Sequence, residues 1–237
     1  MYQPYGYDDF ETGRSGVDLS AFLGRTYRWM FLGLLATFAV AFAGYATGAV
    51  LILFRSPILL IGLTILQLVL VWRVSASLGH ISASSATGSF FAYAVLNGVL
   101  FSAYFLIFDL GSMIYAFAAA ALYFGIMAFY GSRTSKDLAG WGPVLSAGLI
   151  ALLIVGLFGS LFGMMGITEI LYCGIGLVLF MGLTAYDVQR LGRMAAQVQP
   201  GTEMAEKLSI YGALQLYLDF INIFLFILRL LGRSRDN

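Results

Sequence analysis

The sequence predicts an all-α fold: a polytopic integral membrane protein with seven transmembrane helices. The chain of 237 residues is 60% hydrophobic and only 11% charged, whereas an ordinary soluble domain carries about 25% charged residues. Its apolar residues also fall into runs of roughly 18 or more, enough at ~1.5 Å per residue to cross the hydrocarbon of a bilayer. Finally, 20 Phe and 28 Gly against 4 Pro suit long packed helices in lipid, where every backbone polar group must be satisfied within its own segment.

Residues 1–24 are polar, tyrosine-rich and acidic. They lack the basic start and immediate apolar run of a cleavable signal, so a disordered tail outside the membrane is expected. Residues 25–237 then form a single transmembrane helical bundle. Its first apolar segment is 29–54, with Gly44 and Gly48 at helical spacing. The second, 58–77, carries Gln67 and reaches Trp72 and Arg73 near its end. The third, 89–108, holds Asn97 and stops at Asp109, and 112–131 follows. The fifth, 143–165, has Gly156, Gly159 and Gly163 in series. The sixth, 169–191, starts at Glu169, passes Cys173, Gly174 and Gly176, and closes on Asp187. The seventh, 209–231, has Asp219 near its middle. Small residues at such spacings let membrane helices approach closely. The connections are short apart from residues 192–208, which favours one bundle of sequential neighbours.

The basic residues orient the bundle. Arg14, Arg25, Arg28, Arg73, Arg133, Lys136, Arg190, Arg193 and Lys207 fall on the side of the N-terminus; Arg55 falls on the other, with Arg229, Arg233 and Arg235 if the chain crosses seven times. A last segment that dips in and returns would instead leave both ends on the N-terminal side; its 23 residues are long enough to span, which favours seven crossings. The excess marks the cytoplasmic side, so a cytoplasmic N-terminus is expected, and short loops without organelle signals fit a bacterial inner membrane. A net charge of +1 with no basic cluster outside the loops gives no reason to expect nucleic-acid binding. The single Cys173 excludes an intrachain disulfide and reads as a packing residue. One histidine, His80, supports neither a zinc site nor a catalytic triad. No cofactor and no enzymatic activity are expected. Tyr186-Asp187 has the YD pair of aspartyl intramembrane proteases, but their accompanying GxGD is absent.

The chemistry concentrates in the last two segments. An ionisable side chain in mid-membrane costs several kcal/mol, roughly 2.5–3.5 on insertion scales, and normally faces other helices or a watery cavity. Asp219 is such a group. Gln215, Asp219 and Asn222, spaced by four and three, share one helix face, where the amides can serve the carboxylate or simply glue helices together. Thr184 and Asp187 likewise share a face of the sixth segment. Asp187 has a plainer alternative as an interfacial partner of Arg190. The two acids meet only if the seventh helix enters the membrane late. If they do, they resist joint ionisation in a low dielectric, and their protons leave in two coupled steps. A shared proton would bind the helices, and its loss would set two anions against each other. A divalent cation would relieve that repulsion, although two carboxylates fall far short of the six to eight oxygens of a tight Ca²⁺ site. Arg73 reads as an interfacial anchor or as a counter-ion for these acids. Gln67 and Asn97 read as interhelical glue, while Asp109 and Glu169 are either solvated or attract cations.

Leu183-Thr-Ala-Tyr-Asp187, followed by Ala213-Leu-Gln-Leu-Tyr-Leu-Asp219-Phe-Ile-Asn222-Ile-Phe, resembles the Bax inhibitor family, also called the transmembrane Bax inhibitor motif family. The resemblance covers about residues 29–231. It implies seven helices with the seventh central and a pH-sensitive Ca²⁺ leak gated by paired aspartates, which correspond to Asp187 and Asp219. Calcium ions, bound weakly and transiently there, would be cargo, with protons as the other ligand. Arg73 would correspond to an arginine on the second helix that latches the closed state, and Gln67 stands where an acid is expected. Some bacterial relatives suggest another role, a non-conducting regulator of a membrane protease or stress response, for which the tail would be the contact.

Overall fold

The computed structural model describes residues 19–76, 81–162 and 167–231. The expected tail lies almost wholly outside these residues, as do His80 and Gly163. Within them run α1 (Leu19–Ala46), a short α2 (Val50–Arg55), α3 (Pro57–Ala76), α4 (Ala83–Phe101) with a one-turn α5 (Tyr104–Ile107), and α6 (Leu110–Arg133). A 3-10 turn at Ala139–Trp141 then leads into α7 (Gly142–Phe162), α8 (Ile167–Ala195) and α9 (Glu203–Leu231). Seven of the described helices are long and apolar enough to cross a membrane, and the chain is an all-helical integral membrane protein.

Two expected boundaries are corrected. The first span does not run over 29–54: α1 starts at Leu19, so the last six residues assigned to the tail are helical, and it ends at Ala46. Gly48 stops it by adopting a φ of +72°, a left-handed conformation that costs a residue without Cβ little. The apolar residues beyond belong to α2. Residues 192–208 are also not a long polar loop. Helix α8 continues to Ala195 and α9 begins at Glu203, leaving a short turn in which Gly201 has a φ of +74°. Charge favours both extensions: Glu203 and Glu206 lie in the first turn of α9 and Arg193 in the last turn of α8, each complementing its end of the helix dipole. The Thr202 hydroxyl accepts from Ala205 N at 3.3 Å and caps the start of α9.

Helix α9 is the central post. The most hydrophobic 18-residue window of that span is 61% buried, against 11–44% for the other six, and α1, α3, α4, α6 and α8 all pack on it. The most apolar spans, those containing α3 and α7, are the least buried, at 11% and 22%. This reverses the order of a soluble protein, because lipid solvates Leu and Ile as well as a protein interior does. Packing there depends on close fit. On α1, Phe22, Thr26, Met30, Leu34, Thr37 and Ala41 form one buried stripe.

The first turn of α9 is also tied to the start of α4. Glu203 Oε1 accepts from Ala83 N at 3.0 Å, and Lys207 Nζ donates to the Ile81 carbonyl at 3.0 Å. Lys207 is buried, so that bond compensates part of its desolvation, while the positive end of the α4 dipole favours the Glu203 carboxylate.

Helices α6 and α8 approach closely at Gly131. A Cβ there would lie 2.8 Å from Ala185 Cα and 2.9 Å from its carbonyl carbon. Both atoms are backbone, so the helices would have to separate. Gly131→Ala should cost roughly 1–3 kcal/mol of stability, read as a lowered unfolding midpoint. Gly125→Ala on the same helix, with nothing within 4 Å of the added carbon, should be neutral or gain up to about 1 kcal/mol from helix propensity. Equal effects at the two sites would refute this account of the contact.

Candidate functional site

Helices α8 and α9 are antiparallel neighbours, and two contacts give their register. Leu191 packs over Gly212, and Phe226 packs over Gly176. Asp219, seven residues after Gly212, is therefore level with Thr184, seven before Leu191. Asp187 lies three residues further along α8, about 4.5 Å toward the end of the bundle that bears the start of α1. The register, not the added turns, removes the depth mismatch that the segment ends implied: Ala195, the end of α8, is level with Leu208, five residues into α9.

Asp219 is buried at 4% exposure. The Thr184 hydroxyl is hydrogen-bonded to its carboxyl group, and the charge of Asp187 acts on it directly. Thr184 Oγ1 also lies 2.8 Å from the Phe180 carbonyl, as a donor. A hydroxyl has one proton to give. With that proton on Phe180, a protonated Asp219 can donate to Thr184 instead. The other carboxyl oxygen, Oδ2, is buried with no hydrogen-bond partner and is the one such side-chain atom among the described residues. Buried carboxyl oxygens are seldom left so. Asp187 is half-buried and also feels Arg190, which is exposed one turn on.

The amides flanking Asp219 bond elsewhere. Gln215 Nε2 donates to the Tyr211 hydroxyl at 3.0 Å, and Asn222 Nδ2 donates to the Leu218 carbonyl one turn back at 2.8 Å. They line the face without serving the carboxylate. Arg73 is exposed and donates to Ser85 Oγ at 3.0 Å, joining α3 to α4. Cys173 is fully buried. Asp109 caps α6, accepting from Ser112 N at 2.9 Å and Ser112 Oγ at 2.6 Å; the serine bonds hold its carboxyl below the usual carboxylate range. The Ala139 amide, then Arg193 at 2.6 Å, does the same for Asp137. Both groups therefore titrate on the acid side of an ordinary aspartate and supply no response near neutral pH. Among the described residues no three His, Cys, Asp or Glu side chains converge.

Sequence reasoning missed a second polar centre on the opposite face of α9. The buried Tyr217 hydroxyl lies 2.6 Å from Thr37 Oγ1 on α1 and accepts from Asn97 Nδ2 on α4 at 2.7 Å. Asn97 Oδ1 in turn accepts from Gln67 Nε2 on α3 at 3.3 Å. Gln67 and Asn97 are thus the glue expected of them. The available signal was the hydroxyl itself, since a tyrosine within a span needs a partner.

Among known proteins, the family model described as inhibitor of apoptosis-promoting Bax1 matches residues 19–236. The inner membrane protein YbhL of Escherichia coli K12 is 39% identical over 223 residues, covering 92% of this chain and 93% of its own. A protein of Deinococcus radiodurans is 41% identical, covering 91% of each chain. One from Borreliella burgdorferi is 35% identical, covering 91% of this chain and 93% of its own. On the strength of this match over nearly its whole length, together with seven spans around a central α9, the chain belongs to the Bax inhibitor-1 family of membrane proteins.

Proposed function

We propose that the protein is a passive, pH-sensitive cation leak, with Ca²⁺ the favoured ion and the Asp187–Asp219 pair as sensor and gate. The observation that supports this most strongly is Asp219, a buried carboxyl group on the central helix with one oxygen unpartnered and a second acid acting on it. With one proton between them, the two carboxyls and Thr184 tie α8 to α9. Once that proton leaves, two anions confront each other in a low dielectric and the helices loosen. A divalent cation entering the gap offsets the repulsion. With only two carboxylates to hold it, the ion is passed on rather than stored. The role is transport rather than catalysis, in a bacterial inner membrane with the N-terminus cytoplasmic. The inner-membrane name of the Escherichia coli relative supports the location, and the nine basic residues on the N-terminal side support the orientation.

Purified protein in liposomes loaded with a Ca²⁺ indicator tests the reading. Ca²⁺ entry should rise on the order of tenfold from about pH 6 to about pH 8, a change of ~1.4 kcal/mol in the gate equilibrium. Entry no faster than in protein-free vesicles, or equal at the two pH values, would overturn it.

A further inference from the structure

At the end of the bundle away from Asp187, α5, α7, α8 and α9 enclose a cavity of about 550 Å³. Among the described residues its walls carry one cation, Arg229 in the last turn of α9, and one acid, Glu169 in the first turn of α8. They do not pair with each other. The one ion pair among the described residues is Arg193–Asp137, at the other end of the molecule. Arg229 instead interacts with the hydroxyl of Tyr104, which also lines the cavity. The Tyr172 hydroxyl lies directly over Gly156 on α7, in space that any larger residue would take. Leu153, on the rim, is 63% exposed and faces lipid, so the cavity opens at the surface of the bundle near the membrane boundary.

We propose that this cavity binds the head group of a zwitterionic phospholipid bearing a primary ammonium, of the phosphoethanolamine type. The phosphate would lie on Arg229 and the two tyrosine hydroxyls, the ammonium on Glu169, and the acyl chains along Leu153. Charge complementarity selects this occupant. A guanidinium and two hydroxyls form a phosphate site, but a carboxylate in the same pocket repels an anion with no positive group of its own. A free phosphate or an anionic lipid satisfies half of the site, whereas the zwitterion satisfies both halves. Nothing in this assignment depends on ion conduction.

Native mass spectrometry of the full-length protein, after exchange into micelles doped with phosphatidylethanolamine, phosphatidylglycerol or inorganic phosphate, tests it. Phosphatidylethanolamine should be retained about tenfold better than phosphatidylglycerol, and phosphate should not be retained. Arg229→Gln should weaken both lipids by about tenfold. Glu169→Gln should abolish the preference while leaving phosphatidylglycerol binding intact. Leu153→Trp, which narrows the mouth without touching a charge, should displace lipid while the unfolding temperature stays close to wild type. Equal retention of the two lipids by wild type, retention of phosphate alone, or unchanged preference in Glu169→Gln would each overturn the proposal.

Discussion

Protein carrying Asp219→Asn should pass Ca²⁺ into liposomes at a rate that varies less than about twofold between pH 6 and pH 8, against roughly tenfold for wild type. Asparagine fills the same volume and can hydrogen-bond Thr184 in the place of Asp219, so the packing of α8 on α9 survives. What disappears is the charge that Asp187 opposes, and with it the coupled loss of protons. Asp187→Asn should flatten the response similarly, because the pair titrates as a unit. Asp109→Asn and Asp137→Asn should leave it unaltered, since both carboxyls are held below the ordinary range by their local bonds. A full pH response in Asp219→Asn protein of normal thermal stability would remove the gate from the mechanism.

Tyr217→Ala should destabilise the bundle by roughly 2–5 kcal/mol, the largest stability loss expected of a single substitution here. The ring is fully buried and stands edge-on to Phe90 and Tyr93, with centroids 5.9 and 5.8 Å away. In a bilayer the usual hydrophobic transfer contribution is small, because the unfolded reference is already in lipid. The loss comes from the cavity among α1, α4 and α9 and from Asn97 left without its acceptor. Tyr217→Phe keeps the ring and forfeits only the hydroxyl bonds, about 1 kcal/mol by the scale of interhelical hydrogen bonds in membranes. Denaturant titration in mixed micelles separates the two. If phenylalanine costs as much as alanine, the network rather than the ring carries the stability.

Much of the fold was legible from the residues. Length and polarity alone marked the seven spans, because a bilayer admits few other ways to satisfy a backbone. The boundaries were less legible. The apolar run after Gly48 looked continuous with the first span, and the polar stretch after Gly192 looked like a loop although its charges suit helix ends. Hydropathy measures affinity for lipid and is blind to both a left-handed turn and a dipole-matched helix cap. In the candidate site, Asp219, Asp187, Thr184, Gln215 and Asn222 could all be picked out, since charge and amide groups stand out in an apolar span. Their partners could not. The two amides bond within α9 itself, Arg73 reaches Ser85, and only the register of α8 on α9 brings Asp219 level with Thr184.

The sequence by itself determined the membrane, the number of spans and which residues are too costly there to be idle. These properties are local, set by each segment's own exchange between water and lipid. The tertiary structure decided which helix stands at the centre, which polar groups meet and which are left unpartnered. Lipid is as apolar as leucine, so composition cannot separate an inward face from an outward one. That choice rests on the close approach of backbones at Gly131, on the side chains seated over Gly176 and Gly212 and on hydrogen bonds between residues as much as 180 positions apart.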